Sequence, residues 1–296
     1  SANTDLVLQA AAIENQGHIV GGNGKPTLTT GTLTNSRGGH IISQQDLEIA
    51  TKGVVFNHGQ MATKRHLSIS ATKELINNGK VAGGKGKTTI TAQGYIENHR
   101  KIESQQDLQI ETKERFTNKG RIDATHSLTI KSDTLRNDGT IAGGKGTTTL
   151  QARGDVDNQS QISSANDLTI TSDSGQLYNN GKVAATRDFT VNAYSVYNSG
   201  YKTLFSGRHM TLNVSRTISN RSRGEIFSQG NLTMQGRSGG RVYHIENYLG
   251  RIEAMGDMTF KADNLDNEGA TSVYDYTTTS YPISRVCSFA SDIWKL

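Results

Sequence analysis

Carboxylates recur in this sequence directly before one pattern, which is two apolar residues separated by a single residue. Five aspartates hold that position: Asp46, Asp107, Asp167, Asp188 and Asp257. Asp167 and Asp188 lie 21 residues apart, and if their segments form neighbouring strands, the carboxylates come within about 5 Å of each other. Two carboxylates at such a separation could act as acid and base on a glycosidic bond.

The same position holds other residue types elsewhere in the chain: His66, Ser127, His209 and Asn231. This variety favours a turn-forming role for the aspartates on a solvated edge. We therefore predict no catalytic residue and no enzymatic activity. A β-helical polysaccharide-degrading enzyme is the alternative, and its only support is analogy between folds.

Other residues that could bind a ligand or a metal ion do not form a cluster in the sequence. Glycine-rich loops at 21–25, 83–87 and 143–147 lack the following helix that a phosphate loop needs and the Asp that calcium-binding glycine repeats need, so we expect outward bulges. His58 and His99 share a repeat position but lie two repeats apart. The single cysteine, Cys287, excludes a disulfide within the chain and a Cys-based zinc site. We predict no cofactor and no metal ion.

An asparagine repeat sets the periodicity of the chain. The unit is an apolar residue, any residue and Asn, usually followed by Gly two positions after the Asn. The Asn occurs at positions 15, 35, 57, 77, 98, 118, 137, 158, 179, 198, 220, 247 and 267, on average 21 residues apart. We expect these side chains to form a structural ladder of stacked amides.

Short alternating segments within each repeat predict strands rather than helices. Pairs such as Leu47 and Ile49 alternate with polar residues, and Gly, Asn and Asp separate the segments. Three such strands cannot pair within one repeat, so each must pair with its counterpart in the next repeat. The sequence predicts an all-β fold, a right-handed parallel β-helix (β-solenoid) of about thirteen coils of about 21 residues, with three short strands per coil.

The regularity of the period divides the chain into three parts. Regular repeats occupy residues 1–193, and irregular coils with longer loops occupy 194–270, including the 27-residue interval between Asn220 and Asn247. The period is lost over 271–296, an aromatic-rich stretch that we interpret as a cap or the start of another module. Because the residues from Asp5 to Leu8 already match the second half of a repeat, we expect a fragment of a longer rod.

Positive charge and tyrosine are concentrated in the irregular coils. Residues 194–251 hold eight basic and two acidic residues, a net charge of +6 in a chain whose net charge is +5. Arg and Tyr are enriched in protein interfaces, and insertions on a rigid scaffold often carry function. The predicted partner-binding residues are Tyr197, Tyr201, Arg208, Arg221, Arg223, Arg237, Arg241, Tyr243 and Tyr248. Two alternatives stay open. The cations could simply be solvated, on a part of the rod whose sequence has diverged from the repeat, or they could bind a heparin-like glycan through charge.

Several repeats are similar to a known family. The segments LRNDGTIAGG, FTNKGRIDATHSLTI and LYNNGKVAATRDFTV resemble haemagglutinin repeats of the large filamentous exoproteins that Gram-negative bacteria export by two-partner secretion. That family includes filamentous haemagglutinin adhesins and contact-dependent growth inhibition effectors. The resemblance covers residues 5 to about 270.

The resemblance implies a structural and adhesive segment of a secreted filament on the surface of a Gram-negative bacterium. It implies two partners: an outer-membrane transporter during export of the full-length chain, and an outer-membrane protein or surface glycan of a target cell. We expect no nucleic-acid partner. Since the sequence contains no run of 18 apolar residues, we also expect no transmembrane segment.

Overall fold

The structure, a computed structural model, describes residues 5–269. The chain divides into two compact units, Ser1–Ala152 and Arg153–Leu296, and each is a parallel β-solenoid of short strands. The predicted cap or following module at 271–296 lies outside the described residues, and so does Cys287. No helix within residues 5–269 is long and apolar enough to cross a bilayer.

Strands of successive coils stack into three ladders in the first unit. Ladder 1 contains Leu47–Thr51, Leu67–Ala71, Thr88–Ala92, Leu108–Thr112, Leu128–Ser132 and Thr148–Ala152. Ladder 2 contains Val55–Asn57, Leu75–Asn77, Ile96–Asn98, Arg115–Asn118 and Thr134–Asn137. Ladder 3 contains His18–Gly21, His40–Ser43, Gln60–Thr63, Lys80–Gly83, Lys101–Ser104, Arg121–Ala124 and Thr140–Gly143. Two longer strands, Val7–Asn15 and Thr27–Asn35, run through ladders 1 and 2.

Strands within each ladder pair in parallel and in register. Ile96 pairs with Leu75 of one neighbouring strand and with Phe116 of the other, and all three side chains are at most 1% exposed. Ladder 1 contributes pairs such as Leu108 and Ile110, which are equally buried. Equivalent apolar residues therefore lie over one another, as the repeat predicts, and each buried Leu, Ile or Phe contributes about 1.5–3 kcal/mol.

The second unit has three ladders of its own, which we number in the same way. Ladder 1 contains Leu168–Ser172, Leu232–Gln235 and Met258–Phe260, and ladder 2 contains Val156–Asn158, Gln176–Asn179, Val242–Tyr248 and Ala262–Glu268. Ladder 3 contains Gln161–Ser164, Lys182–Ala185, Thr203–Ser206, Glu225–Ser228 and Arg251–Ala254. Phe189–Ser199 and Met210–Arg221 run through ladders 1 and 2, and a 3₁₀ turn, Arg237–Gly239, follows Leu232–Gln235. The prediction of an all-β parallel solenoid is confirmed, with seven strands of ladder 3 in the first unit and five in the second.

Four coils contain one long strand where the sequence predicts two short ones. In Phe189–Ser199, Tyr194 continues the extended backbone from Ala193 to Ser195, where regular coils turn through glycine or charged residues. The strand Phe189–Ser199 pairs with Met210–Arg221. Their register shifts between Ala193 and Ser195, where Met210–Arg221 contains one residue more than its partner. A β-bulge absorbs this extra residue, so the coil keeps its pairing on both sides.

Asparagine side chains form an amide ladder along ladder 2. In the first unit, each Nδ2 donates to the Oδ1 of the next Asn at 2.7–2.8 Å, from Asn15 to Asn137. The second unit repeats these distances from Asn158 to Asn267. Two residues after Asn77, a Cβ on Gly79 would lie 2.1 Å from the carbonyl oxygen of Gly59, so this coil needs glycine at that position. The predicted structural role of the Asn repeat is confirmed.

Candidate functional site

The carboxylates that sequence spacing places side by side serve as caps of backbone N–H groups. Asp167 Oδ1 accepts a hydrogen bond from the backbone N of Asp188 at 3.2 Å, and Asp188 Oδ1 accepts one from the backbone N of His209 at 3.2 Å. Asp46 and Asp107 do the same for the following coils at 3.1 Å. Asp46, Asp107, Asp167 and Asp188 therefore link successive coils through backbone hydrogen bonds.

Arg208 determines the ionisation of Asp188. Its Nε donates to Asp188 Oδ1 at 2.6 Å, and its Nη2 donates to Oδ2. This charge-assisted contact lowers the pKa of Asp188 below its ordinary value. A general acid in glycoside cleavage needs a raised pKa, so the environment of Asp188 is opposite to the one that acid catalysis requires. Within residues 5–269, no three His, Cys, Asp or Glu side chains are grouped so as to hold a metal ion.

The nine predicted binding residues lie in separate places on the coils of the second unit. The turn between ladders 2 and 3 holds Tyr201, Arg221, Arg223 and Tyr248 at or beside it. The connection between ladders 1 and 2 holds Arg237 and Arg241, and Tyr243 lies at the start of the ladder 2 strand Val242–Tyr248. Arg208 lies in the turn between ladders 3 and 1, and Tyr197 lies within ladder 2. The structure therefore does not bring the nine side chains into one patch.

Four of the five predicted residues outside the turn between ladders 2 and 3 make intramolecular contacts, including Arg237, which donates to the carbonyl oxygens of Ser172 and Asp173. Tyr197 stacks on Tyr178 of the neighbouring strand, with ring centroids 5.3 Å apart and planes 13° apart. Arg241 Nη1 lies 3.6 Å from Asp263 Oδ1, and Arg208 pairs with Asp188 as described above. Tyr243 is more open, with 57% of its surface exposed.

The turns between ladders 2 and 3 form a protruding surface, which we name the turn ridge and define as Tyr201, Ser222, Arg223, Tyr248 and Leu249. Four of these residues have positive φ angles: 60° at Tyr201, 52° at Ser222, 66° at Arg223 and 53° at Leu249. Left-handed backbone costs a residue with a side chain of order 1–3 kcal/mol. In the regular coils that the structure describes, no residue of this turn has a positive φ, so the turn ridge holds its side chains at an energetic cost that those coils avoid.

Hydrogen bonds between coils hold these left-handed turns in place. The backbone N of Tyr201 donates to the carbonyl oxygen of Ser222 at 3.3 Å, and that of Arg223 donates to Leu249 at 2.7 Å. The guanidinium carbon of Arg223 lies 5.0 Å from the ring centroid of Tyr201, whose hydroxyl accepts a hydrogen bond from Arg223 Nη1. Tyr201 is nevertheless 69% exposed, Tyr248 44% and Leu249 40%. The turn ridge is thus preorganised and open to solvent.

Sequence reasoning identified Tyr201, Arg223 and Tyr248 through composition but missed Ser222 and Leu249. The available signal was the loss of the Asn-x-Gly turn after Asn220 and Asn247, where Ser222 and Leu249 replace the glycine. It also missed an outward-facing polar column of Asn192, Asn213 and Gln235, whose members are 21 and 22 residues apart. These residues line a cleft described below.

Comparisons with known proteins agree with this architecture. The chain is 29% identical over 183 residues to a protein named tRNA nuclease CdiA from Yersinia mollaretii, a match that covers 61% of this chain and 6% of that protein. The chain thus spans a small fraction of the length of this curated relative. No solved structure is significantly similar to the chain. A family model described as the haemagglutinin repeat matches residues 1–100, 81–160 and 163–237, and the chain therefore belongs to the haemagglutinin-repeat family.

Proposed function

We propose that this chain is a stalk segment of a filament secreted to the surface of a Gram-negative bacterium, and that its turn ridge contacts a receptor on a target cell. Membership of the haemagglutinin-repeat family supports the first part. The amide ladder and apolar columns support it physically, because each coil presents the same pairing edge to the next and length is added without new interactions.

The turn ridge supports the second part of the proposal. Stacked turns that hold Tyr201, Arg223 and Leu249 in left-handed backbone are the single observation that carries it. Backbone strain persists where surrounding structure enforces it and is frequent at binding sites. A rigid aromatic side chain beside a guanidinium is also typical of residues that dominate binding energy in protein interfaces.

Paired charges favour a protein receptor over a purely charge-driven contact. Four arginines of the basic segment lie beside acidic groups: Arg208 beside Asp188, Arg221 beside Glu246, Arg241 beside Asp263, and Arg251 beside Glu225 and Glu253. Glu225 and Glu246 belong to the segment itself, and Asp188, Glu253 and Asp263 lie outside it, so these contacts offset about half of its net charge of +6. An outer-membrane protein is therefore our first choice of receptor, and a surface glycan is the second.

The full-length chain would reach the cell surface through an outer-membrane transporter, as in the resembling exoproteins, and would act through reach and recognition without bond chemistry. The relative's name, tRNA nuclease CdiA, describes an activity of that protein. We do not extend that activity to this segment, whose carboxylates cap backbone groups.

The turn ridge is tested with the double variant Tyr201→Gly with Leu249→Gly. Glycine accepts left-handed backbone, so the midpoint of thermal unfolding should stay the same or rise. Binding of the labelled chain to outer-membrane vesicles from a panel of Gram-negative cells should fall at least tenfold. Tyr95→Ala is the matched control, because Tyr95 makes a similar contact with Arg115 in the first unit, at 4.3 Å.

Equal vesicle binding by the double variant and the wild-type chain would reject the turn ridge as the receptor site. Binding that disappears as salt is raised, and that ignores the double variant, would favour the charge-driven glycan alternative.

A further inference from the structure

A polar cleft lies beside the connection between ladders 1 and 2 in the second unit. Its volume is about 470 Å³, within the range of small-molecule sites. Its lining includes Thr171, Asp173, Asn192, Asn213, Gln235 and Arg237. We name this the amide cleft. It contains no residue of the turn ridge, so an inference about it stands apart from the proposed receptor contact.

A column of side-chain amides forms one wall of the amide cleft. Gln235 Nε2 donates to Asn213 Oδ1 at 3.0 Å, Asn213 Nδ2 donates to Asn192 Oδ1 at 2.9 Å, and Asn192 Nδ2 donates to Thr171 Oγ1 at 3.4 Å. Each amide has two N–H donors and an oxygen with two lone pairs. The column uses one N–H of each, so donors and acceptors are left for a ligand at intervals of about 4.8 Å, the spacing of strands.

The inserted loop at 236–241 closes the amide cleft from one side. Arg237 reaches back across the coils, where Nη1 donates to the carbonyl oxygen of Asp173 at 2.7 Å and Nη2 donates to that of Ser172 at 2.6 Å. The loop is also closed on itself, since the backbone N of Gly236 donates to the carbonyl oxygen of Gly240 at 2.8 Å. The cleft is therefore shaped before any ligand arrives, which lowers the entropic cost of binding.

The chemistry of the lining excludes most ligand classes. One guanidinium, of Arg237, and one carboxylate, of Asp173, balance in charge, and both Nη atoms of Arg237 are engaged by carbonyl oxygens. Since these two Nη atoms already donate to carbonyl oxygens, the guanidinium is not poised for a phosphate or carboxylate, and an apolar ligand would leave amides without partners. Hydroxyl groups, which donate and accept, match amides that donate and accept.

We propose that the amide cleft binds a neutral sugar chain in an extended conformation. The amide spacing is close to the length of one pyranose residue in such a chain, so successive rings would meet successive amides. Tyr194 follows Asn192 by two residues and therefore lies on the same face of the strand. Tyr194 is 40% exposed and offers an aromatic surface on that face.

Titration of the full chain with cellotriose, chitotriose and mannotriose, followed by saturation-transfer NMR and calorimetry, tests this proposal. At least one trisaccharide should bind, and the variant Asn213→Thr with Gln235→Thr should weaken its affinity at least tenfold. Threonine is a good strand former, and the far-ultraviolet spectrum and unfolding midpoint check the fold. The matched control is Gln109→Thr, an outward amide of ladder 1 in the first unit, and it should bind as the wild type does.

Arg237→Lys supplies a second test that leaves every strand residue unchanged. Lysine cannot donate to two carbonyl oxygens in the planar geometry of a guanidinium, so the loop should loosen and affinity for the same trisaccharide should fall. Competition of that trisaccharide with adhesion to Gram-negative cells separates a surface glycan from a soluble oligosaccharide as the natural source. The proposal is overturned if none of the three sugars binds, or if the Asn213 and Gln235 variant binds them as the wild type does.

Discussion

Replacing Asn77 with alanine is expected to lower the free energy of unfolding of the first unit by about 2–4 kcal/mol, since each buried polar group left without a partner costs about 1–3 kcal/mol. Asn77 is fully buried. It accepts from Asn57 at 2.7 Å and donates to Asn98 at 2.8 Å and to the carbonyl oxygen of Lys101 at 3.1 Å. Alanine removes these hydrogen bonds and the two that the Asn77 side chain makes with the backbone of Gly79. Urea unfolding followed by circular dichroism measures the loss.

The neighbouring Asn78 provides a control with the same chemical change. It lies outside the amide ladder and is half-exposed, so Asn78→Ala should change the free energy of unfolding by less than about 0.5 kcal/mol. If Asn77→Ala and Asn78→Ala were equally mild, the ladder would contribute nothing to stability and its recurrence would need another explanation.

Phe116→Ala is expected to be at least as damaging, with a loss of about 3–5 kcal/mol for a large buried side chain. Phe116 is 0% exposed and pairs in register with Ile96 and Leu135. Because each coil contacts only its neighbours, hydrogen exchange should accelerate most in the strands Ile96–Asn98 and Thr134–Asn137. Urea unfolding gives the total, and exchange mass spectrometry gives its location.

Phe56→Ala is the matched control for this second prediction. Phe56 also belongs to ladder 2, pairing with Ile76, but its side chain points outward and is 36% exposed. Its removal should cost less than about 1 kcal/mol. A Phe116→Ala protein with the stability of Phe56→Ala would show that the column of apolar side chains is not the core.

Residues that recur with the period made the fold predictable. The apolar residue two before each Asn fixes both the inward face and the register, because a shift of one residue would turn Leu75 or Ile96 to solvent. The amide ladder follows from the same register, since stacked Asn side chains can bond only when successive strands are aligned. These features depend on local spacing alone.

Features that depend on contacts between particular coils could not be predicted from the sequence. Composition grouped Arg208 with Arg223, yet Arg208 lies in another turn and pairs with Asp188. The continuous strands Phe189–Ser199 and Met210–Arg221 arise because no residue there ends the extended backbone, a weak signal in a chain rich in Thr and Ser. The reach of Arg237 to Ser172 spans 65 residues, and no repeat position predicts it.

Stacking of successive repeats is the central claim, and a spin-label distance within the first unit tests it most directly. Labels at Glu48 and Thr149, with Cys287 replaced by serine, are linked by five consecutive register pairs of ladder 1. Steps of about 4.8 Å place these backbone positions about 24 Å apart. Pulsed electron resonance should show a narrow distribution near that distance. A broad distribution of label distances, as in an unfolded chain, would contradict the account. The radius of gyration of such a chain is about 30 Å for a hundred residues.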